Sequence, residues 1–119
     1  MSGYSDVRAV TITADTVALD ADGISVAASV GNNAALVIGG ALASGGAVSL
    51  SHGRIVTILS AGNDAAKSFT VTGTDVNGDA QTESITGANA GTATGTKFFK
   101  TISGISAVGN PAGNVSAGV

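Results

Sequence analysis

Cysteine is absent from this 119-residue chain, so its fold can contain neither a disulfide nor a thiolate metal site. Tryptophan is absent too, and aromatic residues make up only 3% of the sequence. Few large side chains are therefore available to stack against a sugar or to line a ligand pocket. The length allows one domain with a modest core, which must be held by apolar packing and backbone pairing.

Charged residues are also scarce. They make up 11% of the chain, against about 25% in ordinary soluble domains. With 44% hydrophobic residues and a net charge of only -3, the chain does not have the composition of a disordered protein. One interpretation is a small domain with a surface rich in Ser and Thr. Because a weakly charged surface of small residues is poorly protected against association, we favour a surface that neighbouring subunits cover in the working state.

The few basic residues do not form a stripe along the sequence. They are Arg8, Arg54, Lys67, Lys97 and Lys100. Nucleic-acid binding normally requires a basic footprint, so no nucleic-acid partner is predicted.

The stretch from 23 to 53 contains no acidic residue, Lys or Arg, and its segment 34–50 is rich in small and apolar residues. A membrane-spanning helix requires about 20 mostly apolar residues. Glycine pairs at 39–40 and 45–46 interrupt this run, and Ala and Ser supply much of it. Short strands joined by glycine turns are predicted here, and no membrane association.

Helical periodicity is absent, whereas β-branched residues and period-two alternation recur. Strands are predicted at residues 7–14, 24–30, 36–38, 41–43, 47–51, 54–60, 97–103, 105–108 and 115–119, with a hairpin at 69–85. Many short strands at close spacing favour an all-β fold, a β-sandwich of short antiparallel strands. Residues 7–119 are predicted to form this single domain, preceded by an extended, flexible N-terminal arm at residues 1–6.

The clearest local signal is the hairpin, where Asn77 and Gly78 stand between two alternating segments. A strict two-residue loop would place Phe69 opposite Thr86 and mix the apolar and polar faces. A three-residue loop, with Gly78 in the left-handed conformation, places Phe69 opposite Ile85. The second register keeps the large apolar groups together, and we predict it for that reason.

Side chains that could carry chemistry are few. His52 is the only histidine, no nucleophile motif accompanies it, and neither an enzyme nor a cofactor is predicted. The best metal candidate is a weak calcium site at Asp75, Asn77 and Asp79, whose oxygens stand close together in a glycine-containing loop. Hairpin turns favour the same residues for backbone reasons, so the prediction is no metal site. Asp20 and Asp22 are weaker candidates still.

Several turn and strand segments resemble a family of small bacteriophage and prophage virion structural proteins. They are residues 19–24, 40–46, 54–58, 60–64, 69–75, 86–91 and 96–101, and the resemblance extends over about residues 17–118. The resemblance implies a capsid decoration or cement protein, which binds the outer surface of the phage head and bridges major capsid protein subunits.

The resemblance also implies location and partners. The major capsid protein is the expected partner, with self-association as a possible trimer, and the expected location is the virion head surface after assembly in the host cytoplasm. A tail, fibre or head–tail connection component is an alternative within the phage particle. A surface glycan-binding module is an alternative of another class.

Overall fold

All regular secondary structure is β in the computed structural model of the protein, which describes residues 20–119. The strands are β1 (Ser25–Ser29), β2 (Ala43–Ser44), β3 (Ala47–Ser60), β4 (Ser68–Thr74), β5 (Ala80–Thr86), β6 (Thr92–Val108) and β7 (Asn114–Gly118). They pair antiparallel in one sheet of order β1-β7-β3-β6-β4-β5, with β2 paired to β3.

The predicted all-β class is therefore confirmed. The sandwich detail is not confirmed, because the hydrogen-bond ladder joins every described strand into one sheet. The predicted arm at residues 1–6 and the predicted strand at 7–14 lie outside the described residues.

Two long strands form the centre of the sheet. The first half of β6 pairs with β3, and its second half pairs with β4. Sequence patterns divided each of these strands in two, at Gly53 and at Gly104, and the prediction of short strands was wrong there. The β3–β6 register shifts between Ser49 and Arg54, so the chain passes Gly53 as an irregularity within a continuous strand.

The β4–β5 hairpin has the predicted register. Phe69 pairs with Ile85. The Asp75 amide donates to the Asp79 carbonyl at 2.9 Å, which closes a three-residue loop. Gly78 has a φ of 85°, the left-handed conformation that this loop requires. The apolar pattern and the glycine position were sufficient to fix this register.

A two-residue turn of Gly45 and Gly46 joins β2 to β3, with φ values of 63° and 83°. The predicted glycine turn is confirmed. The strand predicted at 36–38 is not formed. Instead, Ala35 makes an isolated bridge to Ser106 beside the second half of β6.

Phe69 and Phe99 are the largest fully buried side chains of the core. Around them pack the apolar side chains of β3, β4 and β6, at Val48, Leu50, Val56, Ile58, Val71, Ile102 and Ile105. Fully burying one such side chain stabilises the fold by roughly 1.5–3 kcal/mol. Because the chain has no disulfide, this packing at the centre of the sheet supplies most of its stability.

The sheet curls so that β5 approaches the first half of β6 through side chains. Glu83 accepts hydrogen bonds from the Thr96 amide at 2.6 Å and from the Thr96 hydroxyl at 2.9 Å. Gln81 Nε2 donates to the Phe98 carbonyl at 2.6 Å. These bonds hold the hairpin against β6 where no backbone ladder does.

Gly73→Ala and Gly104→Ala are a matched test of the β4–β6 contact. An alanine Cβ at Gly73 would collide with the Thr101 carbonyl oxygen, whereas a Cβ at Gly104 would meet open space. Overpacking typically costs 1–3 kcal/mol, and we expect Gly73→Ala to lower the free energy of unfolding by about 2 kcal/mol or more. Gly104→Ala is expected to leave it unchanged or raise it by about 0.5 kcal/mol. Urea denaturation measures both, and equal losses would contradict the described packing.

Candidate interaction surface

The two outer strands of the sheet, β5 and β1, differ in how their edges are protected. Lys97, on β6, reaches β5 with its side chain, and its Nζ donates to the Thr82 carbonyl at 2.9 Å. A lysine at a sheet edge discourages pairing with another chain, because a new strand would have to displace its charge. The β5 edge is therefore protected against the addition of a strand from another chain.

The β1 edge has no charged residue of its own. Its sequence is Ser, Val, Ala, Ala and Ser, and it pairs only with β7 among the described strands. A bulge between Ser25 and Ala28 interrupts the register with β7. Val26 lies in this bulge and is 54% exposed. The strand's shortness and its bulge limit uncontrolled pairing.

The loop after β1 continues the same surface. The Gly40 amide donates to the Ile24 carbonyl at 2.9 Å and the Leu42 amide to the Gly23 carbonyl at 2.8 Å, so this loop lies against the start of β1. Val37 is its most exposed apolar side chain, at 77%. The exposed residues of β1 and of the loop after it, within residues 23–42, are called the uncharged surface below, because this stretch contains no Asp, Glu, Lys or Arg. Such an apolar, uncharged area favours a protein partner.

Two carboxylates stand at the end of the uncharged surface. The Asp22 amide donates to Asp20 Oδ1 at 3.3 Å. The pKa of Asp22 is raised above its usual value, first by a side-chain hydrogen bond with Asp20, then by desolvation and by repulsion from the Asp20 charge. The turn therefore brings Asp20 and Asp22, the weaker of the calcium candidates, together as a hydrogen-bonded pair.

The weak calcium candidates Asp75, Asn77 and Asp79 meet in the β4–β5 loop. Asp75 Oδ1 accepts hydrogen bonds from the Asn77 amide at 2.8 Å and the Asp79 amide at 3.0 Å. The Gly78 amide donates to the Asp75 carbonyl at 3.1 Å. These bonds give Asp75 a backbone role in the turn, as hairpin chemistry favours.

His52 lies exposed on β3. Its Nδ1 is 3.1 Å from the hydroxyl of the neighbouring Ser51. Because both side chains are on an exposed part of the strand, the pair lacks the enclosed site that excludes water from a reaction.

Asp64 is fully buried where three loops meet, a position that the sequence did not indicate. Its amide donates to the Ala88 carbonyl at 2.9 Å, and its carbonyl accepts from the Lys67 amide at 2.9 Å. Its Oδ1 accepts from the Ala112 amide at 2.7 Å. Asp64 thus connects the β3–β4, β5–β6 and β6–β7 loops, while its Oδ2 has no hydrogen-bond partner among residues 20–119.

Residues 20–119 contain no group of three or more His, Cys, Asp or Glu arranged to hold a metal ion. That part of the chain also has no helix of the length and hydropathy that a membrane span requires. Comparisons with protein-family models, with curated proteins and with solved structures found no match. The uncharged surface is therefore the candidate site that the geometry itself provides.

Asp64→Ala and Asp64→Asn test whether the buried Asp64 side chain stabilises the fold as a hydrogen-bond acceptor for the Ala112 amide. Asp64→Ala removes the acceptor for Ala112 and is expected to cost about 1–3 kcal/mol of unfolding free energy. Asp64→Asn keeps an acceptor oxygen and places a neutral amide at the unpartnered position, so we expect a smaller loss. Guanidinium denaturation of both variants is the measurement. A loss for Asp64→Asn as large as that for Asp64→Ala would contradict a purely loop-connecting role.

Proposed function

We propose that this protein is a phage virion structural protein that decorates the capsid surface and bridges neighbouring major capsid protein subunits. The observation that supports the proposal is the β1 edge, an outer strand with exposed Val26 and no charged residue of its own. The scarcity of charge along the whole chain agrees with a surface that subunits cover in the working state.

Strand addition is the contact that this edge suits. An extended segment of a capsid subunit gains hydrogen bonds from the outward backbone groups of β1, whatever its own side chains are. Val26 and Val37 then supply apolar contact beside the new ladder. Small side chains on both sides of Val26 allow a partner backbone to approach closely.

Many copies of the protein on one capsid together supply the binding strength that a single copy does not. Specific interfaces usually bury about 1,200–2,000 Å² in total. A decoration protein that bridges two subunits opposes their separation under the pressure of packaged DNA, and a modest affinity is sufficient when the same contact recurs over a shell. The antiparallel sheet, with its β5 side chains fixed on β6, provides a rigid body for this bridge.

Val26→Lys and Val76→Lys test which surface binds the capsid. The two valines are similarly exposed, at 54% and 56%, but Val76 is in the β4–β5 loop, and β4 and β5 lie at the other end of the strand order from β1. Val26→Lys places a charge that must be desolvated in the interface, and we expect it to weaken binding at least about tenfold, or 1.4 kcal/mol. Val76→Lys is expected to change binding less than about twofold. Cosedimentation with purified capsids that lack the protein measures both affinities.

Equal binding by Val26→Lys, Val76→Lys and the unmodified protein would contradict the assignment of the β1 edge. Failure of the unmodified protein to bind the capsid, with binding to purified tails instead, would contradict the decoration role and favour a tail component. Circular dichroism of each variant shows that the loss is not caused by unfolding.

A further inference from the structure

Asparagine occurs seven times in the chain, and only Asn77 is followed by a glycine. The identity of the following residue matters because its backbone nitrogen can attack the side-chain carbonyl carbon of the asparagine. A Cβ on that residue obstructs the attack, and glycine has none. Asn110 is excluded altogether, because Pro111 has no backbone N–H to lose. The β4–β5 loop therefore contains the asparagine whose neighbour in the chain is best suited to this reaction.

Asn77 also differs from other asparagines in how its side chain is held. Asn33 Oδ1 accepts a hydrogen bond from the Gly109 amide at 2.8 Å, and Asn63 Oδ1 accepts one from the Ala65 amide at 3.2 Å. Within residues 20–119, the side-chain amide of Asn77 makes no hydrogen bond. Its carbonyl carbon can therefore turn towards the backbone of the loop without breaking a contact.

The tip of the β4–β5 loop gives this side chain room. Asn77 and Gly78 are both exposed. A Cβ built on Gly78 would have no atom of the described structure within 4 Å. Water and hydroxide reach both residues, so burial does not prevent a reaction that first loses a proton and later takes up water.

Backbone hydrogen bonds oppose the reaction while the loop is closed. The Gly78 amide, whose nitrogen is the nucleophile, donates to the Asp75 carbonyl at 3.1 Å. Asp75 Oδ1 accepts from the Asn77 amide at 2.8 Å and from the Asp79 amide at 3.0 Å. The Gly78 nitrogen must leave its acceptor before it reaches the side chain, so the reaction requires local opening of the loop. Exposed loops with few buried contacts open at a small cost in free energy.

We propose that Asn77 is a site of spontaneous deamidation and that opening of the β4–β5 loop sets its rate. In the open loop, the Gly78 nitrogen loses its proton to base and forms a bond with Asn77 Cγ, while the bond from Cγ to Nδ2 breaks and ammonia leaves. Water then cleaves one of the two bonds from this nitrogen to the carbonyl carbons of the resulting succinimide. Cleavage at Cγ gives aspartate, and cleavage at the backbone carbonyl carbon gives isoaspartate. The proposal does not depend on the capsid role.

Either product changes the β4–β5 loop. Both add a carboxylate between Asp75 and Asp79, in a chain whose formal net charge is already -3. Isoaspartate also adds a methylene to the backbone before Gly78, which does not fit the three-residue loop closed by the Asp75 amide and the Asp79 carbonyl. The modified protein is therefore expected to have a more negative and more open loop at this end of the sheet.

Incubation of the purified protein in mildly alkaline buffer, followed by peptide mass spectrometry, tests the site. Fragmentation of the peptides locates the mass gained when an NH₂ group is replaced by OH. We expect Asn77 to be converted at least about tenfold faster than any other asparagine, because only its neighbour lacks a Cβ. Conversion of another asparagine at an equal or higher rate would overturn the proposal. So would no conversion at Asn77 under conditions in which the urea-unfolded protein is converted there.

Asp75→Ala and Asp79→Ala test whether the loop sets the rate. Each removes one carboxylate, but within residues 20–119 only the Asp75 side chain accepts hydrogen bonds from loop amides. We expect Asp75→Ala to accelerate conversion of Asn77 at least about fivefold and Asp79→Ala to change it less than about twofold. Equal rates in the two variants would overturn control by the loop. If Asp75→Ala fails to fold, the chain without substitutions decides, since its conversion is expected to be faster in urea and an equal rate would overturn the same point.

Discussion

The pairing of β3 with β6 is the interaction on which the rest of this structure depends. β7 attaches to the sheet through β3 and brings β1 with it, whereas β4 attaches through β6 and brings β5. The two long strands also supply much of the buried apolar surface, from Val56 and Ile58 on one strand to Phe99 and Ile102 on the other. Because the chain has no disulfide, loss of this pair would leave neither half with a complete core.

The small number of charged side chains also determines the character of the surface. The described structure uses its polar side chains mainly to hold backbone, as Glu83 holds the Thr96 amide, Asp64 the Ala112 amide and Asp75 its own turn. Few charged groups remain to protect the uncharged surface, and within residues 20–119 the β1 edge is protected by its shortness and its bulge. This distribution is typical of a protein whose role is to make contact, and it is the physical basis of the proposed capsid role.

Local patterns predicted local structure well. The β4–β5 register followed from the apolar alternation and from Gly78, because a one-residue slip would have turned Phe69 out of the core. The extents of β3 and β6 did not follow, because Gly53 and Gly104 read as breaks in the sequence. The backbone of β6 at Gly104 stays paired with Thr72, so tertiary pairing overrides the local signal there.

The burial of Asp64 could not be predicted for a different reason. Its partners, Ala88, Lys67 and Ala112, come from three loops, two of them distant in sequence, and only the assembled sheet brings these loops together. Among residues 20–119, the interruption of pairing on one side of β3 between Val48 and Thr57 is likewise a property of the whole ladder, since it depends on where β2 and β7 stop.

The number of copies of this protein in purified phage particles, measured by quantitative mass spectrometry against the major capsid protein, tests the central claim most directly. A capsid decoration role predicts a fixed stoichiometry with the major capsid protein and hence many copies per head. Absence of the protein from purified particles, or a few copies that remain with the tails when heads and tails are separated, would contradict it.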